Sequence, residues 1–285
     1  MQRRETLIRE MTRDIGPALE SGAFVPFFQI QVDTHTKTVF GVEVLGRWLH
    51  PRHGVIAPKQ FLYVAERARL TEQIDRSIYL KALDHFAAWR AQGIGLQHIS
   101  FNVTGRALAD GTFLTWFENA LRERGLHPSD VVLELVETIL LDGESRDITE
   151  TAAALAEAGF RLAIDDFGTG HASIASLISV PVRLVKIDRT FVAGIHESVE
   201  RTLLTKAIID LSKQLNIEVL AEGVEARAER DLITSLGCPL FQGYFYGRPV
   251  PAAQVEEAIQ DACWMLSTPD EQDDAKVAGP LRNAI

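Results

Sequence analysis

The fold is decided by the stretch Ala163-Ile164-Asp165-Asp166-Phe167-Gly168-Thr169-Gly170, where a short apolar run ends in two adjacent carboxylates and a glycine-bounded turn. The run Phe160 to Ile164 predicts a buried strand. Burying a carboxylate without a partner is costly, so acids at the end of such a strand need a cation or another polar group. Two adjacent acids can each hold a divalent cation or bridge two of them. They can equally begin a turn and cap a helix, so the pair alone leaves both interpretations open.

The same pattern recurs along the chain. Side chains of a strand point alternately to the two faces of its sheet, so every second residue shares a face. Each predicted strand has one apolar face, and its other face ends in a polar residue, which in several strands is an acid. The strands and these polar residues are His98 to Val103 with Ser100 and Asn102, Val131 to Val136 with Glu134, Phe160 to Asp165 with Asp165, Arg183 to Asp188 with Lys186 and Asp188, Ile217 to Glu222 with Glu222, and Leu240 to Gln242 with Gln242.

Helical patterns separate these strands. Three segments predict helices, namely Ile148 to Glu157, Glu200 to Leu215 and Glu225 to Leu236, and glycines follow the first and the third as stop signals. An alternation of strands and helices implies parallel strands covered by helices. Because the last inward residues of these strands are polar, the pattern predicts a TIM-type (β/α)8 barrel, in which the active site collects at the C-terminal ends of the strands.

The composition fits one such domain. The chain has 285 residues, of which 46% are hydrophobic and 24% are charged, ordinary values for a globular protein of this size. The formal net charge of -10 argues against a general binder of nucleic-acid polymers or membrane surfaces. No segment is apolar over the length of a bilayer, and the first residues are charged. We therefore expect a cytoplasmic protein that does not insert into membranes, with Cys238 and Cys263 reduced and not ligating a metal.

The two ends carry weaker signals. Residues 1–22 contain an amphipathic pattern, which predicts either a helix that caps the bottom of the barrel or the stub of a linker to a regulatory domain. The barrel itself is expected over residues 23–264. Residues 265–285 become polar after Ser267, so we expect a loose tail there.

Two more extended segments precede this series, at Pro26 to Val32 and Val39 to Trp48. In the second, Glu43, Leu45 and Arg47 share a face. Glu43 and Arg47 can simply pair with each other. Alternatively, Glu43 binds a metal ion and Arg47 binds an anion, because guanidinium groups suit phosphate oxygens.

An ordered series of motifs resembles the EAL-domain cyclic-di-GMP phosphodiesterases. Each motif is modest by itself, but the ordered series is highly specific and covers about residues 24–251. It comprises Phe28-Gln29, Glu43-Val44-Leu45-Gly46-Arg47-Trp48, Asn102, Glu134-Leu135-Val136-Glu137, Asp165-Asp166-Phe167-Gly168-Thr169-Gly170, Pro181-Val182-Arg183-Leu184-Val185-Lys186-Ile187-Asp188-Arg189, Ala221-Glu222-Gly223-Val224-Glu225 and Gln242-Gly243-Tyr244. The resemblance implies a barrel whose first strand is antiparallel to the others, and hydrolysis of one phosphodiester bond of cyclic-di-GMP to linear pGpG.

The resemblance also implies a role for each matching residue. Two Mg²⁺ or Mn²⁺ ions are implied, and their implied ligands are Glu43, Asn102, Glu134, Asp165, Asp166 and Glu222. The implied catalytic residues are Glu43, Glu222 as the base, Lys186 as the group that orients the water or steadies the phosphate, and Glu137 as the acid that fixes the loop beginning at Asp166. The implied substrate-binding residues are Gln29, Leu45, Arg47, Asp188, Glu225 and Gln242.

The chemistry agrees with these implied roles. Two hard cations about 3.5–4 Å apart lower the pKa of a bridging water and neutralise the charge that develops on a diester. The ligand set offers only oxygen atoms, which suits Mg²⁺ or Mn²⁺ and disfavours zinc.

Some residues depart from the family pattern. Gly46 stands where a leucine is usual, so we expect the loss of an apolar contact with the substrate base. Val44 replaces the usual alanine on the helix-facing side, where we expect little effect. None of the departures removes an implied ligand.

Other interpretations stay open. Lys186 could pair with Asp165 or Asp188 inside the barrel, and Glu225 could merely begin a helix. The chain could be a non-hydrolysing cyclic-di-GMP receptor, or a scaffold whose metal site is structural. The resemblance further implies a homodimer whose surface begins in the segment Ala172 to Leu177, although the apolar residues of that segment could instead pack under their own barrel.

Overall fold

Strands alternate with helices along the chain, as predicted. The computed structural model describes residues 2–136, 146–168, 177 and 180–268. Within these ranges ten strands form one sheet. The strands are β1 (Phe24–Asp33), β2 (Thr38–His50), β3 (Gly54–Ile56), β4 (His98–Val103), β5 (Val131–Val136), β6 (Arg161–Phe167), β7 (Leu184–Ile187), β8 (Glu218–Glu222), β9 (Leu240–Gln242) and β10 (Val250–Pro251).

The sheet closes into an eight-stranded barrel. Strands β2, β4, β5, β6, β7, β8 and β9 follow one another in parallel. Strand β1 pairs with both β2 and β9, antiparallel to each, and so closes the ring. Strands β3 and β10 extend the sheet outside the ring. The architecture confirms the predicted TIM-type barrel with an antiparallel first strand.

Helices follow most of the strands. Within the described residues they are α1 (Gln2–Glu20), α2 (Pro58–Ala68), α3 (Thr71–Ala91), α4 (Gly105–Ala109), α5 (Phe113–Arg122), α6 (Arg146–Glu157), α7 (Arg189–Val192), α8 (Val199–Gln214), α9 (Arg227–Ser235) and α10 (Val255–Ser267), with short 3₁₀ turns at Pro128–Asp130, Ile195–Glu197 and Ala252–Gln254. None of the helices in this part of the chain combines the length and apolar character needed to cross a membrane.

The core has two layers. The larger layer lies between strands and helices and contains the outward residues that the alternation pattern predicts to be apolar, such as Phe101, Leu133 and Ile164. A smaller cluster fills the inside of the barrel near the N-terminal ends of its strands. Its members are Phe40, Val132, Ala163, Leu184, Leu220 and Leu240. This apolar floor leaves the C-terminal half of the interior for polar side chains.

Helix α1 packs at the opposite end of the barrel from this floor. Phe24, which begins β1, pairs with Trp48 near the C-terminal end of β2. Asp14 and Glu10 of α1 accept hydrogen bonds from Arg52, which follows β2, at 3.1 Å each. The predicted helix is therefore present. Of the two alternatives given for it, a cap on the bottom of the barrel does not fit, because the reversed direction of β1 brings the chain in at the C-terminal side.

The C-terminal boundary lies slightly later than predicted. Helix α10 continues to Ser267, so residues 265–267 are helical rather than part of a tail. The rest of the predicted tail, from residue 269 onward, lies outside the described residues.

Candidate active site

Lys186 lies at the centre of a cluster of carboxylates. It is the third residue of β7, and only 1% of its side chain is exposed. Its Nζ lies 2.6 Å from Glu222 Oε1, 2.7 Å from Glu134 Oε2, 3.1 Å from Asp165 Oδ1 and 3.5 Å from Glu43 Oε2. The four acids come from β8, β5, β6 and β2. Alternation grouped Glu134, Asp165 and Glu222 among the polar inward residues, the resemblance implied a place in the site for Glu43, and the structure brings the four together.

The cluster has more negative than positive charge. Burial alone would lower the pKa of Lys186, but the surrounding carboxylates raise it well above its usual value. Burial raises the pKa of Glu134 well above its usual value, with Glu43 contributing in the same direction. Burial also raises the pKa of Glu222 to about 8, although Lys186 opposes the shift. Burial thus disfavours the charged forms of Glu134 and Glu222, and Lys186 opposes this effect on both.

Glu43 is held on both of its oxygens. Asn102 Nδ2 donates to Oε1 at 2.7 Å, and Gln242 Nε2 donates to Oε2. Burial raises the pKa of Glu43, but Lys186 and these two amides outweigh it, and the net pKa is lowered. Glu43 therefore stays ionised, and the two amides fix its orientation.

A β-bulge places Asp165 and Asp166 on the same side. Ile164 pairs with Val185 and Phe167 pairs with Ile187, so β6 carries one residue more than β7 between these pairs. Asp166 adopts the left-handed conformation with φ 53°, which few non-glycine residues adopt. Asp165, Asp166 and Glu222 consequently place one carboxylate oxygen each within 4.8 Å of one another. Burial raises the pKa of Asp166 to about 6, with Asp165 and Asp188 acting in the same direction.

The arrangement suits divalent cations. All the donors are carboxylate or amide oxygens, which Mg²⁺ and Mn²⁺ prefer. Glu134 Oε1 is buried and accepts no hydrogen bond from the described residues. A buried oxygen without a partner is unfavourable, and a cation would satisfy it. The residues present therefore fit the implied metal ions.

A cleft of about 270 Å³ opens beside the cluster. Seven of the predicted site residues line it, and Arg189 and Tyr244 line it as well. The predicted residues that line it are Gln29, Glu43, Leu45, Asp165, Glu222, Glu225 and Gln242. The cleft thus joins the carboxylate cluster to most of the predicted substrate-binding positions.

Three predicted substrate-binding residues lie at the rim. The guanidinium of Arg47 lies 5.5 Å from the centre of the Phe27 ring and donates to Gly46 O. Asp188 accepts a hydrogen bond from Thr190 N and so caps α7, rather than pairing with Lys186. Glu225 pairs with Arg189 at 3.0 Å. Of the two arginines in these contacts, Arg189 lines the cleft and Arg47 packs on Phe27 beside it.

The expectation for Gly46 is wrong. A Cβ on Gly46 would lie 2.8 Å from Ile78 Cδ1 of α3. Gly46 therefore faces the helix layer, whereas Leu45 faces the cleft. The alternation of β2 explains this, because Gly46 shares its face with the buried Val44 and Trp48.

The predictions for Glu137 and for the dimer surface involve residues outside the described part of the chain. Glu137 lies outside the described residues, as do residues 172–176 of the proposed dimer surface. Leu177 is described and is buried in the core, so it packs under its own barrel.

Sequence reasoning missed several residues of the site. Gln31 and His98 are buried inside the barrel and form hydrogen bonds that lead to Gln242. Alternation alone could have found Gln31, because it shares a face with Gln29. Glu229 accepts hydrogen bonds from the backbone N–H groups of Glu225 and Ala226 at 2.8 and 3.0 Å. Its position three residues after Ala226 is the spacing of a capping box.

Comparisons with known proteins point to one domain family. The family model described as EAL domain matches residues 12–249. The chain is 35% identical over 252 residues to the bifunctional diguanylate cyclase/cyclic di-GMP phosphodiesterase MucR of Pseudomonas aeruginosa, a match that covers 88% of this chain and 36% of MucR. It is 32% identical over 239 residues to the cyclic di-GMP phosphodiesterase PdeR of Escherichia coli, covering 84% of this chain and 36% of PdeR.

The fold agrees with a solved structure as well. The structure of the MucR phosphodiesterase in complex with c-di-GMP superimposes with a TM-score of 0.82 at 33% identity. The match covers 86% of this chain and 99% of that one. The chain thus spans about a third of the full length of MucR and PdeR.

Proposed function

This chain belongs to the EAL-domain family, and we propose that it is a phosphodiesterase that hydrolyses one phosphodiester bond of cyclic-di-GMP to give linear pGpG. The observation that carries the proposal is the convergence of Glu43, Glu134, Asp165 and Glu222 around Lys186 beside an open cleft. Carboxylates that converge in this way can bind divalent cations and can accept a proton, and hydrolysis of a phosphodiester needs both. MucR and PdeR carry the name of this activity.

Two Mg²⁺ or Mn²⁺ ions held by Glu43, Asn102, Glu134, Asp165, Asp166 and Glu222 would acidify the attacking water and offset the charge that develops on the phosphate. Glu222 lines the cleft, where its carboxylate can accept the proton of that water. Lys186 Nζ lies at hydrogen-bond distance from Glu222 and Glu134 and steadies the charge of both. The roles of Gln29, Leu45, Arg47, Asp188, Glu225 and Gln242 in binding the substrate, and of Glu137 in fixing the loop after Asp166, belong to the same proposal.

The test is incubation of the purified chain with cyclic-di-GMP and Mg²⁺ or Mn²⁺, with the nucleotide products separated by chromatography. We expect linear pGpG from the wild type and from the control variant Glu256→Ala, which changes an exposed acid of α10. Glu43→Ala and Asp165→Ala should abolish hydrolysis while the circular dichroism spectrum stays unchanged. Turnover like that of the wild type in either variant would contradict the assignment of these ligands.

The same assay separates hydrolysis from binding alone. If the wild type binds cyclic-di-GMP and yields no product with either metal, the chain is a receptor. If a chelator unfolds the protein and added metal supports no hydrolysis, the metal site is structural.

Regulation, assembly and location complete the proposal. Longer relatives include the oxygen sensor protein DosP of Escherichia coli, of which the match covers 28%, and we propose that a regulatory domain or protein controls this chain. We propose a homodimer in the cytoplasm. Sedimentation at micromolar concentration tests the dimer, and a single monomeric species would contradict it.

A further inference from the structure

A continuous chain of hydrogen bonds runs through the interior of the barrel beneath Glu43. His98 Nε2 lies 3.0 Å from Gln31 Oε1, and Gln31 Nε2 donates to Gln242 Oε1 at 2.8 Å. Gln242 Nε2 in turn donates to Glu43 Oε2 and, at 3.2 Å, to Gln29 Oε1. Gln29 Nε2 ends the chain by donating to Gly247 O at 3.0 Å. All the side chains in it are buried, and Gln31 and His98 are the most deeply buried, at 0% and 1% exposure.

The direction of this chain is fixed at one end. Gly247 O is a backbone carbonyl and a carboxylate is acceptor-only when ionised, so Gln29 and Gln242 must turn their NH₂ groups toward them. Gln31 must then donate to Gln242 and turn its Oε1 toward His98. It follows that His98 Nε2 carries a proton and donates. Amides aligned in this way polarise and strengthen one another.

His98 suits the role of donor. Burial lowers its pKa to about 3, so the ring is neutral. Its Nδ1 is buried with no partner among the described residues, which fits a ring protonated on Nε2 only, because a proton on Nδ1 would be an unpaired donor.

Gly41 lets His98 reach Gln31. Gly41 of β2 lies between the two, because it pairs with Gln31 of β1 on one side and with His98 of β4 on the other. A Cβ on Gly41 would lie 2.4 Å from His98 Nε2. The absence of a side chain on the middle strand therefore opens the path between its neighbours.

We propose that His98 is a positioning residue for the site: by donating to Gln31 it completes the chain of hydrogen bonds that holds the Gln242 amide in its orientation toward Glu43, and Gly41 makes the contact between His98 and Gln31 possible. Loss of the His98 donor leaves Gln31 Oε1 buried without a partner. Gln31 then turns or shifts to pair this oxygen, Gln242 Oε1 loses the amide that holds it, and the Gln242 amide is held less firmly against Glu43. The inference takes the identity of the reaction from the proposed function, but the effect on metal binding does not depend on it.

The experiment compares five proteins in their metal-free form: the wild type, His98→Leu, His98→Gln, Gly41→Ala and the control Ser100→Ala. Glutamine places an amide near the position of Nε2 and can replace the donor, whereas leucine fills space only. Ser100 is buried on the same strand as His98, and its hydroxyl has no partner in the described part of the chain. Mn²⁺ affinity is measured by titration calorimetry, turnover of cyclic-di-GMP by chromatography, and folding by thermal denaturation.

We expect His98→Leu and Gly41→Ala to weaken Mn²⁺ binding on the order of tenfold, at the low end of the range for groups that orient a metal ligand. His98→Gln should restore the affinity to within about twofold of Ser100→Ala and the wild type. If His98→Leu does not fold, Gly41→Ala tests the inference, because it retains the histidine and only blocks the contact between His98 and Gln31. Equal Mn²⁺ affinity in Gly41→Ala and Ser100→Ala would overturn the inference. A wild type that binds Mn²⁺ but yields no pGpG would refute the proposed function, and the comparison of affinities would still test the role of His98.

Discussion

Replacement of Lys186 by methionine tests whether this one cation balances the acids of the barrel. Methionine keeps most of the length of the side chain and removes the charge. Lys186 contacts Glu134, Asp165 and Glu222 within 3.1 Å, and water does not reach its ammonium group. The variant therefore leaves a buried group of acids without their counter-ion.

The expected loss of stability is large. Removing one partner of a buried ion pair costs about 3–5 kcal/mol, because the other partner stays buried and uncompensated. At about 2–4 °C per kcal/mol for a chain of a few hundred residues, the melting temperature of the metal-free protein should fall by roughly 6–20 °C. The loss should be larger at pH 8 than at pH 5. Without Lys186 the pKa values of the acids rise further, and a carboxyl with a raised pKa contributes stability at low pH that is lost as the pH rises through that pKa.

Thermal denaturation with and without Mn²⁺ distinguishes the charge from packing. A divalent cation can take over the neutralisation, so Mn²⁺ should recover more stability in Lys186→Met than in the wild type. Lys206→Met is the matched control, because Lys206 is exposed on α8 and pairs with Asp210 at the surface. Exposed pairs of this kind contribute about 0–1 kcal/mol. A metal-free Lys186→Met protein as stable as Lys206→Met at pH 8 would refute the reasoning.

Three further predictions concern single positions. Gly46→Leu should lower the free energy of unfolding, measured in urea, by about 1–3 kcal/mol, because the new side chain would clash with Ile78. It should leave the Kd for cyclic-di-GMP unchanged, and tighter binding at unchanged stability would show that the residue faces the substrate. Asp166→Gly should be more stable than Asp166→Ala by about 1 kcal/mol, because glycine adopts the positive φ freely, while both weaken Mn²⁺ binding in calorimetry. Burial and Glu72 raise the pKa of Asp75 to about 7, so this carboxyl destabilises the protein as the pH rises from 4 to 8. Asp75→Asn should therefore raise the melting temperature more at pH 8 than at pH 5. The gain is at most the equivalent of about 4 kcal/mol before solvent screening, and an equal change at both pH values would contradict the raised pKa.

The inward residues of the parallel strands could be predicted because alternation is a local rule. Asn102, Glu134 and Lys186 face the interior at the positions that the rule gives. Barrel closure then brings them together without further information, because the C-terminal ends of parallel strands meet on one side.

Residues 165 and 166 do not follow the alternation rule. Regular alternation would turn Asp166 away from Asp165. The extra residue of the bulge and the left-handed backbone of Asp166 bring the two carboxylates to the same side. A bulge depends on how two strands pair, so the sequence of β6 alone does not specify it.

Gln31 and His98 were missed for a related reason. Alternation puts Gln31 on the face of Gln29 and His98 on the face of Ser100, but their contact depends on Gly41 of the strand between them. A row of residues across three strands becomes visible only when the register is known. The placement of α1 could have been derived from the antiparallel first strand that the resemblance implies, because the direction of β1 decides at which end the chain enters.

Because the first strand is reversed, the chain enters and leaves the barrel at opposite ends. The chain enters through α1 at the rim that carries the cleft, where Arg52 contacts Asp14 and Glu10. It leaves through α10, whose last turn lies beside Thr34 and Lys37 in the turn between β1 and β2, on the side of the apolar floor. The end of the barrel at which the chain enters through Phe24 is therefore the end that carries the cleft, whereas Thr268, the last described residue, lies at the opposite end.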